Sequence, residues 1–199
     1  MYLKLPGVRV HVSFLFTAFL ALILRTGGGR DVAVVFASAL AHETAHLVCL
    51  LACGCRDLTL TLLPGGARIG GAGFGALPYK RAILCVLAGP AVNLALAGAL
   101  FLCRGVWDAA LPRRAAEVNL ALGLGNLLPL SFLDGGRALL AALDAKRNAP
   151  VSAEAVGAAD IVVLILLSCG TAVLTVLGAD TSFLMLFTAY CVASRLLGT

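Results

Sequence analysis

The sequence predicts an all-α polytopic membrane protein, with about six transmembrane helices, a short β-hairpin between helices two and three, and a broken helix four. Three observations predict it. Of the 199 residues, 61% are apolar and 13% charged, whereas a water-soluble domain carries about 45–50% and about 25%. The mean hydropathy is +1.01, and the apolar residues gather in runs near the roughly 20 needed to cross a bilayer as a helix. Glycine, proline and charge mostly separate those runs. Such a composition excludes a soluble enzyme, a disordered regulator and a secreted disulfide scaffold.

Span one runs from about Val12 to Leu24. Lys4 and Arg9 precede it in the manner of a signal peptide, but Arg25-Thr26-Gly27-Gly28-Gly29-Arg30 offers no small-residue cleavage site, so an uncleaved first span is expected. Span two covers about Val32 to Cys53. The alternation Leu58-Thr59-Leu60-Thr61-Leu62, closed by Pro64-Gly65-Gly66, then predicts a hairpin. Its Thr59–Thr61 stretch is a candidate free edge for adding a substrate strand. Span three covers about Ala82 to Cys103. Span four starts near Ala115, breaks at Gly123, Gly125 and Pro129, and gives way to a new helix near Asp134. Spans five and six cover about Ile161–Leu177 and Phe183–Leu197. The whole chain, 1–199, reads as one membrane-embedded domain, with a core at about 32–146 and two further helices at about 161–197.

The net charge of +5 is scattered between apolar runs, a pattern of membrane topology and not of nucleic-acid binding. With six spans, ten of the 15 basic residues fall on the side of both termini and five on the other, which places both termini in the cytoplasm. The seven cysteines cannot all pair among themselves, and six lie in or beside apolar runs where Cys acts as a small hydrophobe. Cys49, Cys53 and Cys55 after His46 lack the paired spacing of a common thiolate metal site.

Chemistry concentrates in His42-Glu43-Thr44-Ala45-His46 of span two. Residues four apart share a helix face, so both imidazoles can reach one ion. Glu43 beside them can take a proton from water and pass it to a leaving amine. Ionisable groups at membrane depth are costly and mark functional cavities. A hydrolytic metal needs a third protein ligand. Asp134 follows the break at Asn126-Leu127-Leu128-Pro129, and its carboxylate either caps the next helix or reaches the metal. Glu117, Asp108 and Asp160 read as interfacial, and His11 as interfacial or structural. Asn126 and Asn93 are polar groups in apolar surroundings, candidates for interhelical hydrogen bonds or for holding substrate and its oxyanion. The donor set alone does not separate zinc from other divalent ions, and a divalent-ion transporter or channel using the same His, Glu and Asp groups is the alternative reading.

His42-Glu43-x-x-His46, Asn126-x-x-Pro129 and Leu133-Asp134-Gly135 together resemble the site-2 protease family of intramembrane zinc metalloproteases. Gly89-Pro90-Ala91-Val92-Asn93, Val8-Arg9-Val10-His11 and Leu62-Leu63-Pro64-Gly65-Gly66 are similar to further elements of that family, so the likeness runs from near the N-terminus to about Arg137. The short form most resembles the subgroup containing the sporulation protease stage IV FB, which releases a membrane-tethered pro-sigma factor, but without its CBS domain. Ser131-Phe132 stands where many relatives carry proline. The resemblance implies one Zn2+ held by His42, His46 and Asp134, with Glu43 as general base and acid. It further implies a membrane-tethered protein substrate in a bacterial cytoplasmic membrane, and leaves room for an inhibitory membrane partner.

Overall fold

Every fourth residue of the helix Gly29–Ala52 (α1) turns inward: Val34, Ser38, His42, His46 and Leu50 are buried, while Val35, Phe36, Leu40 and Val48 are exposed. The helix Tyr79–Cys103 (α2) repeats the pattern with Cys85, Gly89, Asn93 and Ala97. Two stripes of period four are the ridges that let helices pack closely. In this computed structural model, which describes residues 2–5, 7–12, 29–63, 66–71, 77–103, 110–147 and 149–197, Asn93 reaches Ser38 and His42, whereas Cys85 reaches His46. The two helices therefore run antiparallel. Gly89 lies between these contacts, where its missing side chain lets the backbones approach.

The helix Ala110–Asn126 (α3) closes a three-helix group through Ala116, Asn119 and Gly123. A Cβ on Gly123 would lie 2.8 Å from the Leu94 side chain, so glycine sets the α2–α3 spacing. Arg114 pairs with Asp31 at 3.5 Å, bringing the starts of α1 and α3 to one end of this group.

The opposite end carries a four-stranded sheet in the order β1 (Tyr2–Leu5), β2 (Val8–Val12), β3 (Leu58–Leu63), β4 (Gly66–Gly70). The expected hairpin is present as β3–β4, but it is half of the sheet. Val8-Arg9-Val10-His11-Val12, expected to lead into span one, instead forms β2 and pairs in parallel with β3, Val8 opposite Leu58 and His11 opposite Thr61. Its apolar–polar alternation suits a half-buried strand. This corrects the expectation of a free edge at Thr59–Thr61: β3 is bonded on both sides, and the sheet's edges are β1 and β4. The rest of span one lies outside the described residues.

A glycine cap joins α1 to the sheet. Gly54, at φ +89°, lets its own N–H bond to Leu51 O and that of Cys55 to Leu50 O, both at 3.0 Å, the reciprocal closure of a Schellman motif. Cys55 and Leu50 then join Val8, Leu58 and Cys85 in one apolar core.

Residues 1–126 form one compact unit and 127–199 a second. The second holds the helices Asp134–Arg147 (α4), Ala153–Val176 (α5) and Ser182–Leu197 (α6). Ser152 caps α5 by accepting the Ala155 N–H at 3.3 Å. Hydroxyls join α5 to α6: Thr171 to Thr188 at 3.3 Å and Thr175 to Thr181 at 2.6 Å, the kind of interhelical hydrogen bond that substitutes for a hydrophobic drive in lipid.

Among the described residues three helices are long and apolar enough to cross a membrane, Asp31–Ala52, Tyr79–Cys103 and Ala153–Val176, and Leu184–Leu196 is a shorter apolar helix. The protein is an integral membrane protein. The expected break in span four is present as the end of α3 at Asn126 and the start of α4 at Asp134. Neither half meets the length and hydropathy of a span by itself, because α3 is 17 residues with Arg113, Arg114 and Glu117 in its first turns.

Candidate metal centre

α1 places His42 and His46 one turn apart on its buried stripe, and α2 supplies what orients them. His42 Nδ1 lies 2.6 Å from Asn93 Oδ1, and His46 Nδ1 lies 2.8 Å from the Cys85 carbonyl. The protons can be placed by following the amides inward. Asn119 Nδ2 donates to the Ala115 carbonyl at 2.8 Å, so its Oδ1 accepts from Asn93 Nδ2 at 2.7 Å, which also donates to Ser38 O at 3.3 Å. Asn93 Oδ1 is thereby an acceptor, and His42 must offer it Nδ1–H. The Cys85 carbonyl imposes the same tautomer on His46. Both Nε2 lone pairs then face one point, 3.1 Å apart, with the rings edge to face at 4.8 Å.

This arrangement fits a cation. An Nδ1–H fixed by an oxygen acceptor, with Nε2 presented forward, is the usual state of a metal-binding histidine. Gly89 completes the cradle: a Cβ there would overlap His46 Nε2 and stand 2.7 Å from His42 Nε2. Only glycine leaves the space in front of the pair open.

Asn93 is fully buried. Its oxygen goes to His42 and its amide hydrogens to Ser38 and Asn119, so it fixes the orientation of the His42 ring. Asn119, which donates to Ser38 Oγ at 2.9 Å, went unnoticed in the sequence. Its signal was present, an amide on the same helical stripe as Ala116 and Gly123.

Glu43 follows His42 on α1 and is half-buried. Asn126 ends α3 half-buried, its Nδ2 donating back to Leu122 O at 3.0 Å. His11 lies in β2, opposite Tyr2 and Thr61. Glu117 pairs with Arg113 at 3.0 Å and Arg114 at 3.5 Å, while Asp108 lies outside the described residues.

In the second unit, Asp134 is a buried carboxylate in the first turn of α4. The two glycines after it bring α4 onto the preceding loop, since a Cβ on Gly135 would overlap the Leu127 carbonyl and one on Gly136 the Leu130 carbonyl. Asp160, expected at the membrane interface, is instead 2% exposed and anchors this loop. It accepts the Ser131 N–H at 2.8 Å and the Ser131 hydroxyl at 2.6 Å, with Arg195 Nε 3.4 Å away. Proline at 131 could supply neither donor, so the buried Asp160 depends on a residue such as serine there.

A solved structure and related sequences show what the chain is similar to. The fold is similar to that of the site-2 protease from Methanocaldococcus jannaschii, with a TM-score of 0.65 at 20% identity over 99% of this chain and 94% of the other. Residues 109–169 match the model of peptidase family M50. A protein named as a zinc metalloprotease, Rip3 of Mycobacterium tuberculosis, is 38% identical over 157 residues in both the Erdman and H37Rv strains, covering 73% of this chain and 39% of the relative. The chain thus matches less than half the length of those relatives. The class these likenesses point to is peptidase family M50.

Proposed function

We propose that this chain is an intramembrane zinc metalloprotease that hydrolyses a peptide bond within or beside a transmembrane segment of a membrane-tethered protein. The observation that carries the reading is the pair of Nε2 atoms 3.1 Å apart on an apolar helix, with Glu43 next in sequence. The zinc named in Rip3 is assigned to His42 and His46, with Asp134 as third ligand. Asp134 is chosen because a hydrolytic zinc takes three protein ligands and leaves a position open, and because it is a buried acid at the Asn-x-x-Pro break.

Bound there, zinc supplies Lewis acidity, polarising the scissile carbonyl and making water easier to deprotonate. The chain's own residues do the rest. Glu43 accepts the proton of the attacking water and returns it to the leaving nitrogen. Asn93 and the Cys85 carbonyl hold the imidazoles in one tautomer. Asn126 at the helix break is assigned to the unwound substrate backbone or its developing oxyanion. Asn93 remains with His42.

Regulated release of a tethered transcription factor, such as a pro-sigma factor in sporulation, is the physiological role this chemistry suits. We place the protein in a bacterial cytoplasmic membrane with both termini cytoplasmic, and treat residues 1–199 as one protease domain. An inhibitory membrane partner would act by blocking access to Glu43. The test uses purified protein with a membrane-spanning peptide in micelles. Glu43→Gln should keep its zinc and lose cleavage by roughly a hundred- to ten-thousand-fold. Asp134→Ala should lose zinc as well. Cleavage that survives Glu43→Gln, or zinc content unchanged in Asp134→Ala, refutes the assignment concerned.

A further inference from the structure

A second group of metal-ligating side chains lies one turn beyond the histidines. Cys49 and Cys53 are four apart at the end of α1, and Cys85 faces them from α2. The three sulfurs lie within 4.8 Å of one another, and Cys85 Sγ is 3.6 Å from Cys53 Sγ. We propose that Cys49, Cys53 and Cys85 form a soft-metal site that takes one cuprous ion, independent of the assignment made for the histidines. A metal–sulfur bond of about 2.3 Å puts three trigonal sulfurs about 4 Å apart, a spacing the three thiols reach without moving a helix. The backbone holds them there. Cys53 N–H bonds Cys49 O at 2.9 Å, and the Gly54 closure fixes the turn that follows. Thiolates select soft ions, and three of them complete the coordination of Cu(I). A structural zinc site would want four protein ligands, and among the described residues no fourth His, Cys, Asp or Glu joins the group.

Entry is from water. Cys49 and Cys53 are half-buried, and Gly54, Arg56 and Asp57 just beyond them are exposed. Each thiol that coordinates releases one proton to that solvent. Cys55 shares the apolar core with Cys85 but lies outside the group. The full chain, loaded with zinc and kept anaerobic and reduced in micelles, is titrated with Cu(I) against a chromogenic Cu(I) chelator. One equivalent should be withdrawn from the chelator, with a thiolate-to-copper charge-transfer band in the near ultraviolet. Cys49→Ser and Cys53→Ser, at half-buried positions, should each lose that band and that equivalent. His42→Ala/His46→Ala should keep both, which separates this site from the histidine site. Equal copper retention by wild type and both serine variants overturns the proposal, as does loss of the band in the double histidine variant or displacement of the copper by equimolar zinc. A group that is only apolar packing gives the first of these results.

Discussion

At His42 a single oxygen decides which nitrogen carries the proton. Asn93→Ala removes it, and the imidazole becomes free to change tautomer or rotate away from His46. Zinc affinity should fall by about ten- to a hundredfold, the usual cost of losing a metal ligand's hydrogen-bond partner, as measured by competition with a zinc chelator. Asn119→Ala lies one step further back. It should cost about 1–3 kcal/mol in thermal stability, because the Asn93 amide is left with an unmet buried donor, and should weaken zinc less than Asn93→Ala does. The histidines and Glu43 were legible in the sequence, since their chemistry is local to one turn of helix. Their supports were not. Asn93 is 51 residues from His42, and Asn119 is 81 from Ser38, so only the register of three packed helices brings them together. Asp160 was misread for a related reason: an acid at the edge of an apolar run looks interfacial until Ser131 is seen donating to it twice.

Packing between elements depends on positions where a side chain is missing. Gly89→Ala gains about 1 kcal/mol of helix propensity in α2, set against the displacement of two buried, hydrogen-bonded imidazoles, so the protein should still fold but no more stably than before. The added Cβ occupies the space before both Nε2 atoms. Thermal unfolding and zinc content should therefore separate: a folded protein without metal. The opposite outcome, zinc retained at full occupancy, would mean that the ion does not sit in front of that glycine. Ser131→Pro should destabilise the second unit, because Asp160 loses two hydrogen bonds in a buried place. Asp160→Asn should be milder, since a neutral amide tolerates burial better than an unpaired carboxylate. The strand β2 shows why elements were harder to read than motifs. Val-Arg-Val-His-Val alternates as a strand does, but it runs straight into the apolar stretch from Val12, and hydropathy alone merges the two.

Over the molecule as a whole, polarity along the chain and charge across the bilayer meet in one measurable property, orientation. In the first unit the Arg114–Asp31 pair marks one end of the helices and the sheet marks the other. Its basic residues barely distinguish the two sides of the membrane. By sequence alone, the six-span reading puts Lys4, Arg9, Arg56, Arg68, Lys80 and Arg81 on the side of the termini and Arg25, Arg30, Arg104, Arg113 and Arg114 on the other, six against five. The excess on which the proposed cytoplasmic placement of the termini rests comes from Arg137, Lys146, Arg147 and Arg195, all in the second unit. Orientation is set by such charges near span ends, and late ones can reverse a weakly biased chain. In a bacterial cytoplasmic membrane, a fluorescent reporter fused after Leu197 should light up, whereas a phosphatase that folds only outside should be silent there. Changing the four late basic residues to glutamine should leave a mixed population that scores with both reporters. If the quadruple variant keeps a single orientation, the first unit inserts with a bias that its nearly even charges do not explain, and the helix starts joined by Arg114 and Asp31 become the place to seek it.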